Sequence, residues 1–149
     1  MRAAPDFTLP ATDGRSLGPK DFAGKTLVLY FYPKDSTPGC TTEARDFAAL
    51  HGQFVAAGCE VLGVSRDSLK AHENFRAKNA LPFALLSDRE EAACTAYDVI
   101  KLKKLYGKEV RGIERSTFLI DAQGRIVREW RGVKVAGHAQ EVLDAVRAL

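Results

Sequence analysis

The order of segments along the chain predicts an α/β fold with a central mixed β-sheet flanked by helices. Strand-like runs alternate with helix-like runs through the first two thirds of the sequence, and a strand hairpin and a final helix follow. The strongest strand-like run, residues 26–32 (Thr-Leu-Val-Leu-Tyr-Phe-Tyr), shows no polar alternation, which indicates that both of its faces are covered. The chain has 149 residues and no repeat or low-complexity linker, so we expect one domain over residues 1–149.

Turn residues and helix caps set the bounds of most predicted elements. Asp13-Gly14 lies between short apolar pieces and predicts an N-terminal β-hairpin, and Gly58 ends a helix that begins at about residue 38. We expect further strands at residues 60–65, 83–86, 116–120 and 125–130, a helix that Asp67 or Ser68 caps, and a last helix from residue 137 or 138. This order is compatible with a thioredoxin-like fold that carries an N-terminal β-hairpin addition.

Residues 87–111 give weaker patterns. Ser87 and Glu90 match a capping box, which predicts a helix over residues 88–98. Residues 101–111 are basic and contain Gly107, so we interpret them as a loop or an irregular strand.

Composition and charge narrow the function classes. The net charge of +3 is spread along the chain and does not indicate nucleic-acid binding. The N-terminal residues lack the apolar region of a signal peptide, and no apolar run approaches the length of a membrane span. Three cysteines with wide spacings do not resemble a disulfide framework, so we expect a reducing, cytoplasmic setting. The scattered histidines, His51, His72 and His138, predict no metal site.

Residues 33–43, Pro-Lys-Asp-Ser-Thr-Pro-Gly-Cys-Thr-Thr-Glu, join the strand at 26–32 to the next helix. Pro38 and Gly39 are turn residues, and they place Cys40 in the first turn of that helix. The backbone N–H groups of a first turn lack partners within the helix and stabilise an anion, so a thiol there ionises readily and becomes a nucleophile. A small buried apolar cysteine is the alternative, and the spacing alone leaves both open.

The helical periodicity places Cys40 on the apolar side of its helix. Ala44, Phe47, His51 and Phe54 share that side, which should face the sheet. A thiolate in a narrow, partly desolvated pocket suits a small substrate rather than a protein disulfide. We interpret His51 as a packing residue, and His72 and His138 as ordinary surface or cap residues.

The segment at residues 33–40 resembles the active-site motif of peroxiredoxins, Pro-x-x-x-(Thr/Ser)-x-x-Cys. Thr-Pro-Gly-Cys-Thr-x-Glu is similar to the bacterioferritin comigratory protein group, also called the PrxQ type, and residues 106–121 and 133–139 resemble that group too. The resemblance runs from Pro5 to the C-terminus. It implies a thioredoxin-like fold and a peroxidase without a cofactor, which reduces hydrogen peroxide and organic hydroperoxides to water and alcohols.

The resemblance also implies a role for each motif residue. Cys40 would be the peroxidatic cysteine, which attacks the O–O bond and becomes a sulfenic acid. Thr37 would accept a hydrogen bond from the peroxide, and Pro33 would shield the thiolate from water. Arg115 would supply a fixed positive charge, which Glu43 would orient. The backbone N–H groups near Gly39 and Cys40 would help to stabilise the departing oxygen.

The position of the resolving cysteine departs from the pattern of the group. Many members carry it five residues after the peroxidatic cysteine, where this chain has Arg45, and there is no cysteine between Cys59 and Cys94. We interpret Cys59 as an inert core thiol. Cys94 falls on the more polar side of its predicted helix, so we expect partial exposure and keep it as a possible resolving cysteine, slowed by acidic neighbours.

These expectations describe a 1-Cys-type, monomeric peroxidase with thioredoxin, glutaredoxin or a small thiol as external reductant. Its antioxidant activity would require neither nucleic acid nor a membrane. The alternative is a peroxide sensor or relay, which passes the oxidation from Cys40 to a partner protein. The absence of a cysteine at position 45 favours this alternative, because a sulfenic acid without a fast resolving thiol persists.

Overall fold

The computed structural model of the protein describes residues 2–149. Within these residues, ten strands and four α-helices follow one another, with short 3₁₀ turns near the N-terminus. Their bounds are β1 Arg2–Ala3, β2 Leu9–Pro10, β3 Ser16–Leu17, β4 Thr26–Phe31, α1 Pro38–Ala56, β5 Cys59–Ser65, α2 Leu69–Lys78, β6 Leu85–Ser87, α3 Ala92–Ala96, β7 Ile100–Leu105, β8 Lys108–Ile113, β9 Ser116–Ile120, β10 Arg125–Arg131 and α4 His138–Arg147.

A six-stranded mixed sheet forms the centre of the fold, in the order β1-β10-β9-β4-β5-β6. Strands β4, β5 and β6 are parallel, as expected of strands joined through helices α1 and α2. Strands β9 and β10 form an antiparallel hairpin, and β9 pairs antiparallel with β4. The predicted mixed sheet is therefore confirmed.

Strand β4 separates two hydrophobic cores, because successive side chains point to opposite faces of the sheet. Val28, Tyr30 and Tyr32 pack with residues of α1 and α4 on one face, which we call the α1 face. Leu27, Leu29 and Phe31 pack with α3 and the N-terminal segment on the other, which we call the α3 face. Both faces of β4 are covered, as its unbroken apolar run predicted.

Helix α3 is shorter than predicted, and the predicted capping box of Ser87 and Glu90 does not form. The helix covers only Ala92–Ala96, because Glu91 precedes it with a left-handed backbone at φ 63°. The Ser87 hydroxyl donates instead to the backbone oxygen of Asp67 at 2.6 Å. The Asp88 carboxylate accepts the backbone N–H of Cys94 at 2.7 Å.

Residues 100–113 form a regular antiparallel hairpin, so the interpretation as a loop or irregular strand is wrong. Strands β7 and β8 pair continuously from Ile100 opposite Ile113 to Leu105 opposite Lys108. Tyr106 and Gly107 make the two-residue turn with φ values of 54° and 77°, the conformation that tight hairpins require. Most of β8 is exposed, and a hairpin in solvent lacks the alternation that reveals a half-buried strand.

The N-terminal hairpin is confirmed by the antiparallel pairing of β2 and β3 around Asp13-Gly14. Within residues 2–149, no helix combines the length and the apolar character that crossing a bilayer requires.

Candidate active site

The loop after β4 leads into α1 at the point where the sequence predicted a helix start. Thr37 has extended backbone angles (φ −88°, ψ 153°) and Pro38 occupies the first helical position, where its fixed φ suits the helix and its missing N–H has no cost. Cys40 is the third residue of a helix of 19 residues. Its thiol therefore lies in the first turn, beside backbone N–H groups that have no partner within the helix.

Cys40 is buried, with 2% of its surface exposed, on the α1 face of the sheet. Its Sγ lies 3.4 Å from Nη2 of Arg115, 75 residues along the chain. Strand pairing accounts for this contact. Arg115 directly precedes β9, whose first residue, Ser116, lies opposite Phe31 at the end of β4. The guanidinium therefore reaches the same edge of the sheet as the start of α1.

Arg115 also forms an ion pair with Glu43, one turn beyond Cys40 on α1. Its Nη1 donates to Oε1 of Glu43 at 2.6 Å, and Glu43 is only 1% exposed. Burial raises the pKa of Glu43 to about 7, although the charge of Arg115 opposes that shift. Burial acts to lower the pKa of Arg115, but the charges of Glu43 and Cys40 raise it above its usual range. Arg115 is therefore a fixed cation.

Gly39 allows the guanidinium to approach the backbone of α1. A Cβ atom at this position would lie 3.2 Å from Nη2 of Arg115, the nitrogen that contacts Cys40. A larger residue would force that side chain to move.

Thr37 and Pro33 lie at the two ends of the active-site loop, and both are half-buried. The Thr37 hydroxyl does not cap α1 but donates to the backbone oxygen of Lys34 at 2.8 Å. The backbone oxygen of Thr37 accepts two hydrogen bonds from Thr41, from N–H and from Oγ1. The loop and the first turn of α1 are thus joined through Thr37.

The structure separates Cys94 from Cys40, and the expected partial exposure of Cys94 is wrong. Cys94 is fully buried on the α3 face, so the central sheet lies between the two sulfur atoms. Burial raises the pKa of Cys94 above its usual range, and Asp88 and Glu91 act in the same direction. Ala93 and Cys94 form the buried side of α3, whereas its other three residues are exposed.

Cys59 is a buried core thiol. It is 3% exposed, and burial and the nearby Glu60 raise its pKa to about 12. It pairs with Thr26, the first residue of β4, whereas Cys40 lies in α1, which follows the other end of that six-residue strand. All three cysteines are free thiols.

Two histidines interpreted as surface or cap residues are buried, so that interpretation is wrong. His138 begins α4 but is 4% exposed and shares a hydrogen bond of 2.8 Å with Thr117, and burial lowers its pKa to about 4. His72 on α2 has no exposed surface and contacts Asp35 of the active-site loop. His51 packs near Phe83 and also bonds to Glu60 at 2.6 Å. Isolated histidines give no periodic signal in the sequence.

Asp35, Asp67 and His72 are the residues with the spacing of metal ligands among those that the structure describes. Their ligand atoms lie within 4.8 Å of one another. Hydrogen bonds among these residues and their neighbours already use those atoms, so the group is explained without a cation.

The site brings together a buried thiol, a fixed guanidinium and the free N–H groups of a first helical turn. A cation and aligned backbone dipoles stabilise a thiolate, and they stabilise negative charge that develops on an atom that the thiolate attacks. The arrangement is therefore suited to nucleophilic chemistry on a small substrate that releases an anion.

Comparisons with known proteins agree with this chemistry. The AhpC/TSA family model matches residues 1–129. Peroxiredoxin Bcp of Xanthomonas campestris is 57% identical over 143 residues, which cover 96% of this chain and 89% of that protein. Peroxiredoxin Bcp of Bacillus subtilis is 51% identical over 144 residues, which cover 97% and 92%.

Solved structures give the same picture. Xanthomonas campestris Peroxiredoxin Q superimposes with a TM-score of 0.92 at 56% identity, over 95% of this chain and 90% of that one. A bacterioferritin comigratory protein of the same organism, with the same scores and coverage, was studied for its alkyl peroxide reduction activity.

Proposed function

The chain belongs to the AhpC/TSA family as a thiol-dependent peroxidase of the Bcp peroxiredoxin group, and we propose that Cys40 is its peroxidatic residue. The contact between Cys40 Sγ and Arg115 Nη2 at 3.4 Å carries this proposal. The guanidinium of Arg115 places a positive charge beside Cys40, which lies at the start of the long helix α1.

The reaction at Cys40 is a displacement at oxygen. The thiolate attacks the terminal oxygen of ROOH, an S–O bond forms, the O–O bond breaks, and RO⁻ leaves and takes a proton to become ROH. Sulfur is oxidised to a sulfenic acid and the peroxide is reduced. Negative charge moves from sulfur to the leaving oxygen, and Arg115 and the N–H groups of the first turn stabilise it in both places. Glu43 holds the guanidinium in that orientation.

The loop residues would shape the peroxide pocket. Thr37 would accept a hydrogen bond from the bound peroxide, because its hydroxyl donates its own proton to Lys34 and retains lone pairs for accepting. Pro33, without an N–H, would limit the access of water. Gly39 leaves room for Arg115. We propose hydrogen peroxide and small alkyl hydroperoxides as the substrates.

An external thiol is proposed as the reductant. A first thiol displaces hydroxide from the sulfenic acid to give a mixed disulfide and water, and a second thiol releases Cys40. Cys94 on the opposite face of the sheet and Cys59 at the far end of β4 argue against resolution within the chain. Thioredoxin, glutaredoxin or a small thiol could serve.

Further properties belong to the same proposal. One domain over residues 1–149 is supported by the central sheet, which joins β1 near the N-terminus to β10. Three free thiols support a reducing, cytoplasmic setting. We also propose that the protein acts as a monomer.

A peroxide sensor is the second candidate, because position 45 holds an arginine where many relatives of this group carry a resolving cysteine. Arg45 bonds to Asn79, the residue that follows α2. Steady turnover with a generic thiol distinguishes the two functions. Many cycles per protein molecule would support a peroxidase, and a single cycle would support a sensor.

Mass spectrometry after one equivalent of hydrogen peroxide tests the proposal, with dimedone present to trap sulfenic acids. We expect a dimedone adduct on Cys40 in the wild type and in Cys94→Ser. A disulfide between Cys40 and Cys94 in the wild type, replaced by an adduct in the variant, would contradict the 1-Cys cycle. An adduct on another cysteine would contradict the assignment of Cys40.

A further inference from the structure

A buried imidazole lies behind the active-site loop and takes no part in the chemistry described so far. His72 of α2 is completely buried, and its Nδ1 lies 2.6 Å from Oδ2 of Asp35. Its Nε2 lies 2.9 Å from the backbone oxygen of Leu86 on β6. The loop, a helix and an edge strand therefore meet at one side chain.

The hydrogen bonds of His72 define where its protons lie. A carbonyl oxygen can only accept, so Nε2 carries a proton and donates it to Leu86. Tyr32 donates its hydroxyl proton to Oδ1 of Asp35 at 2.6 Å. One further proton lies between Nδ1 and Oδ2, and it joins the two groups whichever atom holds it. All of these polar atoms are thus satisfied in a buried site, where an unpaired group would cost the most.

Asp35 is the central residue of the loop that joins Pro33 to Thr37. Its side chain is held by Tyr32 and His72, and its backbone N–H donates to Oδ2 of Asp67 at 2.9 Å. The next residue, Ser36, has a left-handed backbone with φ 63°, which is unfavourable for a non-glycine residue. The bonds to Asp35 offset this local cost and keep the turn in one conformation.

We propose that His72 is a positioning residue for the peroxide step: by holding Asp35, it fixes the turn that presents Pro33 and Thr37 to Cys40. This inference rests on the proposed function of Cys40. The ring nitrogens of His72 bond to Asp35 and Leu86 and not to Cys40. His72 acts on the reaction only through the loop, so its removal should slow the attack on the peroxide and spare the reaction of the sulfenic acid with thiols.

His72→Phe removes both hydrogen bonds and keeps a ring of similar size in the core. We expect the second-order rate constant for oxidation of Cys40 by hydrogen peroxide to fall at least about tenfold, since small misplacements of positioning groups are costly. Quenched-flow trapping with dimedone measures this step, and circular dichroism shows the folded fraction. Reduction of the preformed sulfenic acid by dithiothreitol should stay within about twofold of the wild type.

His51→Gln is the matched control, because His51 bonds to Glu60 at the same distance of 2.6 Å on the far part of α1. Both rate constants should stay within about twofold of the wild type. Asp35→Asn tests the geometry, because a carboxamide can accept from Tyr32 and donate to an unprotonated Nδ1. It should retain most of the peroxide rate, within about threefold.

Two outcomes would overturn the inference: a folded His72→Phe protein with the wild-type peroxide rate, or equal losses in the oxidation and reduction steps. If His72→Phe does not fold, Tyr32→Phe provides the test, since it removes one donor to Asp35 and keeps the packing. It should slow oxidation and leave reduction unchanged, and an unchanged oxidation rate would contradict the proposal. An inactive wild type would instead contradict the function of Cys40 itself.

Discussion

Cys40 and Cys94 occupy the same position in two different helices. Each is the third residue of its helix, each is almost completely buried, and each packs against the central sheet. Cys40 lies on a helix of 19 residues and contacts the guanidinium of Arg115. Cys94 lies on a helix of five residues, and its backbone N–H is bonded to the carboxylate of Asp88.

The difference between the two cysteines teaches that burial and helix position do not define a reactive thiol. A reactive thiol is defined by the charge beside its sulfur and by the number of aligned peptide groups in the helix behind it. Arg115 and the first turn of a long helix place positive charge beside the sulfur of Cys40, whereas burial and nearby carboxylates raise the pKa of Cys94 and favour its neutral thiol. The following predictions test this contrast, from the largest expected effect to the smallest.

Replacing Cys40 by serine should abolish peroxidase activity, with a loss of at least about a thousandfold in kcat/KM, because a neutral hydroxyl is a poor nucleophile. Cys94→Ser and Cys59→Ser are the matched controls and should keep activity within about twofold per folded molecule. Consumption of hydrogen peroxide with dithiothreitol as reductant measures both. Full activity in Cys40→Ser would refute the assignment.

Arg115→Gln should lower kcat/KM for hydrogen peroxide by about a hundredfold to a thousandfold, the usual loss when one preorganised donor is removed. Arg111→Gln is the control, because Arg111 is an exposed arginine that also pairs with a glutamate, Glu91. Equal losses in both variants would mean that general surface charge, rather than contact with Cys40, sets the reactivity.

The stability contribution of Glu43 should depend on pH. Burial raises its pKa from 4.5 to about 7, so the folded state keeps a proton that the unfolded state releases in this range. The free energy of unfolding contributed by this group is greatest below pH 4.5 and is lost as the pH rises through 7. Glu43→Gln cannot titrate. Wild type should therefore lose stability relative to Glu43→Gln as the pH rises across that window, by at most about 3 kcal/mol.

Urea denaturation of both proteins at intervals across the window measures this difference. A constant difference in the free energy of unfolding would show that Glu43 is ionised throughout and that Arg115 outweighs burial.

Cys94→Ser should affect stability alone. A hydroxyl is more costly to bury than a thiol among the apolar side chains of the α3 face, and the Asp88 carboxylate offsets part of that cost, so the free energy of unfolding should fall by about 1 kcal/mol. Peroxidase activity of the folded fraction should not change. A loss of activity without a loss of stability would indicate a redox role for Cys94, against its position on the opposite face.

The sequence predicted the parts of the fold that depend on local chemistry. The buried strand at residues 26–32, the helix start at Pro38 and the turns at Asp13-Gly14 and Gly58 follow from turn residues and apolar runs. The mixed sheet follows from the order of these elements. The bounds of α3 could not be predicted, because the left-handed backbone of Glu91 depends on tertiary contacts rather than on its residue type.

The residues of the candidate site likewise include some that local sequence predicts and others that only the folded chain brings together. The position of Cys40 at a helix start could be derived from neighbouring residues, whereas the pairing with Arg115 required the resemblance, because 75 residues separate them. The network around Asp35 and His72 was missed. Its partners come from a loop, a helix and a strand edge, and no spacing rule joins them. The face occupied by Cys94 was misjudged because a helix of five residues is too short for a reliable polar side.

The central sheet ends in very short strands at both edges. Strand β1 has two residues and β6 has three, and part of β6 is already covered by the bridge between Ala11 and Leu86. A second chain that paired with β1 or β6 would gain only a few backbone hydrogen bonds, but residues 127–131 of β10 extend past β1. An added strand would therefore pair with this part of β10, where the exposed charged side chains of Arg128 and Arg131 disfavour such pairing.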